Sequence, residues 1–344
     1  MKNTPRIKCV IWDLDGTIWN GTLLEDSAVE LKSGIADLIR TLDSYGILQS
    51  VASKNDHDVA WPVLESMQLA QYFLHPQINW AGKADSVRAI GERLGIGLDT
   101  LALIDDRIEE RDEVQYFLPQ VTAIDGADSG DLLNLLCLQP GVVTDDGRER
   151  RKMYQADIAR TDAEEKFEGK RDAFLQTLGM RMTISRAGRD DLRRAEELTL
   201  RTNQLNTTGR TYSFDELEAL ANSPDHLLLV AKLEDCYGSY GTIGLTLVEK
   251  NATAWTIQLL IMSCRVITRG VGSVLIGYLL RLATDAGVHL RADFCHTGRN
   301  RQMYMTYKFS GFRELATTAD SVVLEHDLRR INPYPGYISV TSEQ

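Results

Sequence analysis

Two aspartates, Asp13 and Asp15, close the short apolar run Val10-Ile11-Trp12, and Gly16-Thr17 follows them. Along a strand, residues i and i+2 share a side. Both carboxylates therefore converge at the C-terminal end of a strand read over residues 7–13. Two hard oxygen donors at one point suit Mg²⁺, which takes carboxylates and water and often shares a substrate phosphate. Ser53 ends a second apolar run in Val51-Ala52-Ser53-Lys54-Asn55. There a hydroxyl and backbone amides, with Lys54 alongside, can hold a phosphoryl oxygen. Lys83, in Gly82-Lys83-Ala84-Asp85-Ser86, stands near the start of a helix. An ammonium there neutralises charge that builds on a transferring phosphoryl group. Asp105-Asp106 then closes another strand and completes a metal set of Asp13, Asp15, Asp105 and Asp106.

The second half carries different chemistry. Cys264-Arg265-Val266-Ile267-Thr268-Arg269-Gly270-Val271-Gly272-Ser273 lies between a long strand and a helix. Glycines let the backbone approach a ligand closely, and a helix N-terminus offers amides to an anion. Arg265, Arg269, Gly270 and Gly272 are thus candidate binding residues. Nearby arginines and the following helix start favour a thiolate at Cys264. A free cysteine is also commonly a small buried hydrophobe, and position alone leaves both open. Cys295, ending a neighbouring strand, is the second thiol candidate. Asn300 precedes Tyr307 by seven residues, and Tyr307-Lys308-Phe309-Ser310-Gly311-Phe312 follows. Residues 201–210 form a polar run that includes Asn203 and Asn206. Such a run can orient a polyhydroxylated acyl group, and a surface loop has the same composition.

These groups need elements to position them. In the first part, strands over 7–13, 47–52, near 73–74 and over 100–104 alternate with helices over 29–45, 56–69, 83–94 and 108–117. That alternation predicts a parallel, doubly wound sheet with its site at the strands' C-terminal ends. Only 37 residues separate Asp15 from Ser53, and 29 separate Ser53 from Lys83. One helix and its turns fill each gap, which leaves no room for an inserted cap domain. Residues 145–178 are charged, helix-favouring and nearly free of β-branched types, and read as a linking helix or equally as part of one of the domains. A second α/β pattern with a mixed sheet follows. Its strands are read over 182–184, 226–233, 241–248, 254–262 and 290–294, and its helices over 190–200, 272–286 and 301–309. The expected organisation is a first domain over 1–144, the linker, a second domain over 179–332, and a tail over 333–344 with two prolines and little periodicity.

The 344 residues are 43% apolar and 25% charged, ordinary for a soluble globular protein. No run approaches 18 apolar residues, so no membrane span is expected. MKNTPRIK leads into the first strand without the apolar stretch of a signal peptide. Five scattered cysteines without a C-x-x-C pair argue for reduced thiols and a cytoplasmic location. Before residue 179 there are 19 basic and 31 acidic residues, and from 179 onward 19 and 18. Neither half has the basic excess of a nucleic-acid binder. An acidic partner would approach the second half.

The Asp13-x-Asp15-Gly16-Thr17, Ser53, Lys83, Asp105-Asp106 series resembles the haloacid-dehalogenase-like (HAD) phosphotransferases. That resemblance implies that Asp13 attacks phosphorus and Asp15 shuttles a proton. By analogy with related sites, it favours Asp106 over Asp105 as the metal ligand. The region from Cys264 to Ser273, with Asn300 and Tyr307, resembles the GNAT acyltransferases, whose loop and helix grip the phosphopantetheine of acyl-CoA. Ile267 stands where that family usually has Arg or Gln.

Together with Trp12-Asp13-Leu14-Asp15-Gly16-Thr17, His75-Pro76-Gln77-Ile78-Asn79-Trp80, Arg201-Thr202-Asn203-Gln204-Leu205-Asn206 and Met262-Ser263-Cys264-Arg265, the chain is similar to the FkbH-like family of polyketide pathways. The resemblance spans about residues 7–332. It implies that the three-carbon unit of 1,3-bisphosphoglycerate is dephosphorylated and delivered to the phosphopantetheine thiol of an acyl carrier protein. In that scheme Cys264 is acylated, the Asp13 site removes phosphate with Mg²⁺, and Tyr307 protonates or steers the carrier thiol. Two alternatives are a phosphatase whose second half only binds the carrier, and a phosphatase fused to a CoA-dependent acetyltransferase.

Overall fold

The structure, a computed structural model, describes residues 7–26, 28–127, 134, 144–202, 204–318 and 320–343. It divides into two compact units, Met1–Gln155 and Ala156–Gln344.

In the first unit, β1 (Cys9–Trp12) is buried at every residue and flanked on both sides. Continuous apolar runs are what a parallel sheet covered on both faces requires. β2 (Trp19–Asn20), β3 (Glu30–Leu31), α1 (Ile35–Ser44), β4 (Leu48–Ser53), α2 (His57–Ser66), β5 (Gln77–Ile78), α3 (Lys83–Leu94), β6 (Leu101–Asp105), α4 (Ile108–Phe117) and β7 (Thr122–Asp125) follow. The parallel sheet runs β5-β4-β1-β6-β7. Trp12 is in register with Val51 and Ile104. Asp13, Ser53 and Asp105 therefore emerge at the same edge, as a doubly wound sheet demands.

Some expectations needed correction. The helix read over 29–45 begins only at Ile35, because Glu30–Leu31 pairs with Trp19–Asn20 in a small hairpin. The strand expected near 73–74 lies at Gln77–Ile78, while Phe73 makes only an isolated bridge to Gln49. β7 is an additional strand, short and half exposed, so its pattern carries little signal.

Residues 145–178 form α5 (Asp145–Arg148), α6 (Arg150–Lys166) and α7 (Arg171–Thr177), not one linking helix. The unit boundary falls within α6. Arg151 of its first turns pairs with Asp43 at 2.9 Å, and Arg160 further along pairs with Asp235 at 2.8 Å. Phe174 and Leu175 of α7 are core residues of the second unit.

That unit continues with β8 (Met180–Arg186), α8 (Arg189–Arg201), α9 (Phe214–Ala221), β9 (His226–Asp235), β10 (Gly238–Lys250), β11 (Ala254–Met262), α10 (Val271–Asp285), β12 (His289–Cys295), α11 (Arg301–Phe309), β13 (Arg313–Thr317), β14 (Ser321–His326) and β15 (Ile338–Glu343). The mixed sheet runs β13-β14-β12-β11-β10-β9-β8-β15. α8 and α9 cover one face through Leu192, Leu198 and Leu217; α7, α10 and α11 cover the other. The expected tail is an ordered edge: β15 runs parallel to β8 from Ile338↔Met180 to Glu343↔Ser185. Among the described residues, no helix is long and apolar enough to cross a membrane.

Candidate functional site

Lys83 is the centre of the first unit's site. Glu113 Oε1 accepts the Ala84 amide at 3.1 Å, which caps α3 from the neighbouring α4, since Gly82 has no side chain to do so. From the start of α3 the ammonium reaches inward, 1% exposed. It lies 2.7 Å from Asp13 Oδ1, 2.8 Å from Asp105 Oδ2 and 2.7 Å from Glu110 Oε2. It also donates to the Ala52 carbonyl at 2.8 Å. Burial alone would push its pKa down, but the three carboxylates outweigh that and hold it above the ordinary lysine value.

Burial, reinforced by the like charges of Asp105 and Glu110, raises the Asp13 carboxyl to about 7 despite Lys83. Asp105 is also raised by burial. For Glu110, burial is overcome by Lys83 and Lys54, which keep its carboxyl below the usual range. Glu110 is a partner that motif reading missed. It faces the site from α4, and its only sequence signal is its place five residues after Asp105.

Asp15 lies outside the Lys83 cluster and is held by three donors of its own. Its Oδ1 accepts from Trp19 Nε1 at 2.7 Å and the Leu23 amide at 3.0 Å, and its Oδ2 from Asn55 Nδ2 at 2.9 Å. Trp19 and Asn55 were likewise absent from the expected set. Ser53, buried at the end of β4, stands where expected. Lys54 instead turns to α4, 3.2 Å from Glu110 Oε1 and 4.0 Å from Glu113 Oε2.

One oxygen each of Asp13, Asp105 and Glu110 lie within 4.8 Å of one another. Lys83 already fills that triad, so it is the lysine's seat and not a metal ion's. Asp105 is fully buried, paired with Lys83 through Oδ2 and accepting the Arg107 amide on Oδ1 at 2.9 Å. Of the expected metal set, the Asp105 and Asp15 side chains are therefore engaged elsewhere. Asp106 is exposed and lies against the Gly16 turn, where φ is +69° and a Cβ would come 2.2 Å from Asp106 Oδ2. Thr17 fixes it from both sides, with Oγ1 3.4 Å from Oδ1 and accepting the Asp106 amide at 3.1 Å. The carboxylates outnumber the ammonium groups of Lys83 and Lys54, and the remaining oxygens of Asp13 and Asp106 are hard donors. This donor chemistry fits Mg²⁺.

In the second unit, β11 and β12 pair only as far as Ile257↔Ala292. Beyond that point residues 205–207 fill the space between them. The Met262 amide donates to the Leu205 carbonyl (3.0 Å), Thr207 N to Leu260 O (3.1 Å), Leu260 N to Thr207 Oγ1 (3.0 Å) and Cys295 N to Thr207 O (3.0 Å). Asn300 Nδ2 ties the insert down by donating to the carbonyls of Asn206, Thr207 and Cys295 at 3.0, 3.3 and 2.8 Å. Asn206 makes a turn with its own loop, accepting from Thr208 and Gly209 and donating to Arg210. Both asparagines are 1% exposed, so they build the scaffold and do not face a ligand. Asn203 lies outside the described residues.

Beside this insert lies a groove of about 230 Å³, lined by Leu205, Met262, Ile267, Gly272, Thr306 and Phe309, among others. Gly270 and Gly272 line it as expected. The arginines do not. Arg265 donates to the Tyr240 carbonyl (2.6 Å) and lies 3.6 Å from Asp157 of α6, while Arg269 pairs with Glu164 at 3.1 Å. These α6 carboxylates, far away in sequence, draw both cations inward. Tyr307 is also away from the groove, completely buried in the core beside Phe312. Burial raises its pKa, opposed by nearby Thr207, and among the described residues its hydroxyl finds no aligned partner. Cys264 is exposed in a one-turn helix just after β11; Cys295 is half-buried at the end of β12.

A doubly wound parallel α/β unit, with the Lys83 cluster at its strands' C-terminal edge, thus precedes an α/β unit built on a mixed eight-stranded sheet. No family model matches the chain, and no curated protein does. Among solved structures, part of the chain is similar to the N-terminal part of a Bacteroides fragilis protein containing a phosphatase domain, complexed with Mg. Identity is 30% over 38% of this chain and 39% of that one, with a TM-score of 0.33. The match thus spans about two fifths of that structure's length. Ard1 from Thermoplasma volcanium matches 42% of this chain and 96% of its own at 16% identity and a TM-score of 0.35. The ribosomal-protein-S18-alanine N-acetyltransferase of Escherichia coli matches 44% and 96% at 15% identity, also with a TM-score of 0.35.

Proposed function

We propose that the protein is a glyceryl transferase and phosphatase that loads an acyl carrier protein from 1,3-bisphosphoglycerate. The observation that carries this reading is the coexistence in one chain of the Asp13–Lys83 phosphoryl-transfer constellation and an exposed Cys264 in the unit that holds an arm-sized groove.

The Cys264 thiolate attacks the acyl-phosphate carbonyl. A carbon–sulfur bond forms, the carbon–oxygen bond to phosphate breaks, and inorganic phosphate leaves. Asp13 then attacks the phosphorus at the other end. The phosphorus–oxygen bond to the three-carbon unit breaks, and Asp15 supplies the proton to the leaving oxygen. Water, deprotonated by Asp15, hydrolyses the aspartyl-phosphate. Lys83 offsets charge on the phosphoryl oxygens throughout. Asp13 and Asp106 would hold Mg²⁺, which supplies further charge neutralisation at phosphorus. Finally the carrier's phosphopantetheine thiol attacks the glyceryl thioester and Cys264 leaves as thiolate. Tyr307, buried away from the groove, takes no part in this scheme. The glyceryl-carrier would serve polyketide assembly, as the family resemblance implies.

Intact-protein mass spectrometry tests this with Mg²⁺, a 1,3-bisphosphoglycerate-generating system and phosphopantetheinylated carrier. A gain of one glyceryl on the carrier is expected, with a transient gain on the enzyme that Cys264→Ala abolishes. Phosphate release without any gain on the carrier would overturn glyceryl transfer and leave a phosphatase with a binding unit.

A further inference from the structure

Residues 332–337, the last part of the 327–337 connection from β14 to β15, lie across α10. Arg281 of α10 holds this strap: its guanidinium sits 4.0 Å over the Tyr334 ring, its Nη2 donates to the Asn332 carbonyl at 3.1 Å, and its Nη1 donates to the Gly277 carbonyl at 2.7 Å. Two glycines, one at the cap of α10 and one two turns on, admit the strap. A Cβ on Gly270 would stand 2.7 Å from the Tyr337 hydroxyl and 3.5 Å from Pro335, and one on Gly277 would stand 3.2 Å from the Tyr334 ring. Past Tyr337 the chain enters β15 and is fixed by the full β8 register. The strap is therefore clamped at both ends. Its Asn332 and Pro333 form part of the groove wall, together with Gly270, Ser273 and Gly277.

A groove ending at a helix start can take a neutral arm terminated by one phosphate, because the first helical amides receive an anion. Free CoA carries more beyond that phosphate: a second phosphate and a 3′-phosphorylated nucleoside. Those groups need open space beside the helix start and cations to balance them. Tyr337 and Pro335 occupy the space at Gly270. The two arginines of the preceding loop are committed to Asp157 and Glu164.

We propose that this strap, through Tyr337 and Tyr334, is a specificity element that excludes the nucleotide of CoA from the groove while admitting a phosphopantetheine arm. The inference rests on the groove being the arm site in the function proposed above.

Calorimetric titration of the full chain with 4′-phosphopantetheine and with CoA tests it. Wild type is expected to bind 4′-phosphopantetheine at least about tenfold more tightly than CoA. Tyr337→Ala should bring the two ligands to within about threefold by strengthening CoA alone, whereas Tyr337→Phe, which keeps the ring, should retain most of the discrimination. Tyr334→Ala, expected to loosen the strap at Gly277, provides the same readout if Tyr337→Ala does not fold. Equal affinities in wild type would overturn the strap's role and leave the arm site standing. So would unchanged discrimination in a folded alanine variant. No binding of either ligand to any form would overturn the arm site itself, and this inference with it.

Discussion

The two units handle buried charge in opposite ways. In the first, three carboxylates surround one lysine ammonium, with a second lysine at the margin, and the excess negative charge lies beside exposed Asp106. In the second, charges are matched where they are buried. Arg160 makes a double contact with Asp235 at 2.8 Å, Tyr240 donates to the same carboxylate, and Arg265 and Arg269 meet carboxylates of α6. Unbalanced charge is costly to bury, and it suits a place where a cation and a phosphoryl group arrive to complete the balance. Matched charge leaves the neighbouring groove to apolar and backbone groups, which suits a neutral arm. One unit is built around an incomplete electrostatic set and the other around a complete one.

Breaking the complete set should have the largest effect. Arg160→Leu leaves the buried Asp235 and the half-buried Asp157 without their shared partner and should destabilise the second unit by about 3–5 kcal/mol in denaturant unfolding. The pH dependence sharpens this expectation. Burial works against the Asp235 carboxylate, but Arg160, Tyr240 and the Tyr237 amide outweigh it and hold the carboxyl below its ordinary value. Its folded pKa is thus depressed. The stabilisation is fully present above the unfolded value of about 3.9 and is lost as pH falls through the folded one. Arg160→Leu should erase that acid-side loss, and an unchanged acid limb would show that the pair is not its source.

Removing the cation from the incomplete set comes next. Lys83→Met should lower phosphate release by about 10²–10³-fold, the scale of losing one preorganised charge from a transition state. The groove's affinity for 4′-phosphopantetheine should not change, because none of its lining residues is altered. A loss of phosphate release smaller than tenfold would mean that the lysine only holds the carboxylates in place.

The same contrast decided what could be seen in the sequence. The placement of Asp13, Ser53 and Lys83 at strand ends or a helix start was legible, a feature set by local pattern. Asp106 could be favoured only by analogy. Glu110, Asn55 and Trp19 were not legible, since each enters the site through a contact across chain segments. Arg265 and Arg269 were misassigned for the converse reason. They neighbour Cys264 in sequence, but their partners Asp157 and Glu164 sit more than a hundred residues earlier. Asn206 and Asn300 were read as ligand contacts because no periodicity reveals a loop threaded between two diverging strands. β15 was read as a tail because a parallel edge strand has no neighbour in sequence to betray its pairing.

A smaller perturbation tests whether Asp106 holds the cation. Gly16→Ala places a methyl against Asp106 Oδ2 and forces a non-glycine residue to φ +69°, a strain of about 1–2 kcal/mol. The Mg²⁺ concentration for half-maximal phosphate release should rise about tenfold as the carboxylate is displaced. An unchanged Mg²⁺ requirement at normal fold stability would remove Asp106 from the ligand set.

The smallest expected effect concerns the aim of Asp15. Trp19→Phe deletes one of the three donors to that carboxylate and leaves Leu23 N and Asn55 in place. A hydrogen bond to a charged group is worth about 1.5 kcal/mol. The remaining two donors should limit the loss to about three- to tenfold in kcat for phosphate release. KM should stay constant, because Asp15 acts on the leaving oxygen and then on water, not on binding. Removing Asn55 as well should cost more than the sum of the single changes, since a carboxylate held by the Leu23 amide alone can rotate away from the phosphoryl group. Strictly additive losses would show that the donors act independently of Asp15's orientation, and the role of the β2–β3 hairpin would then be confined to covering the site.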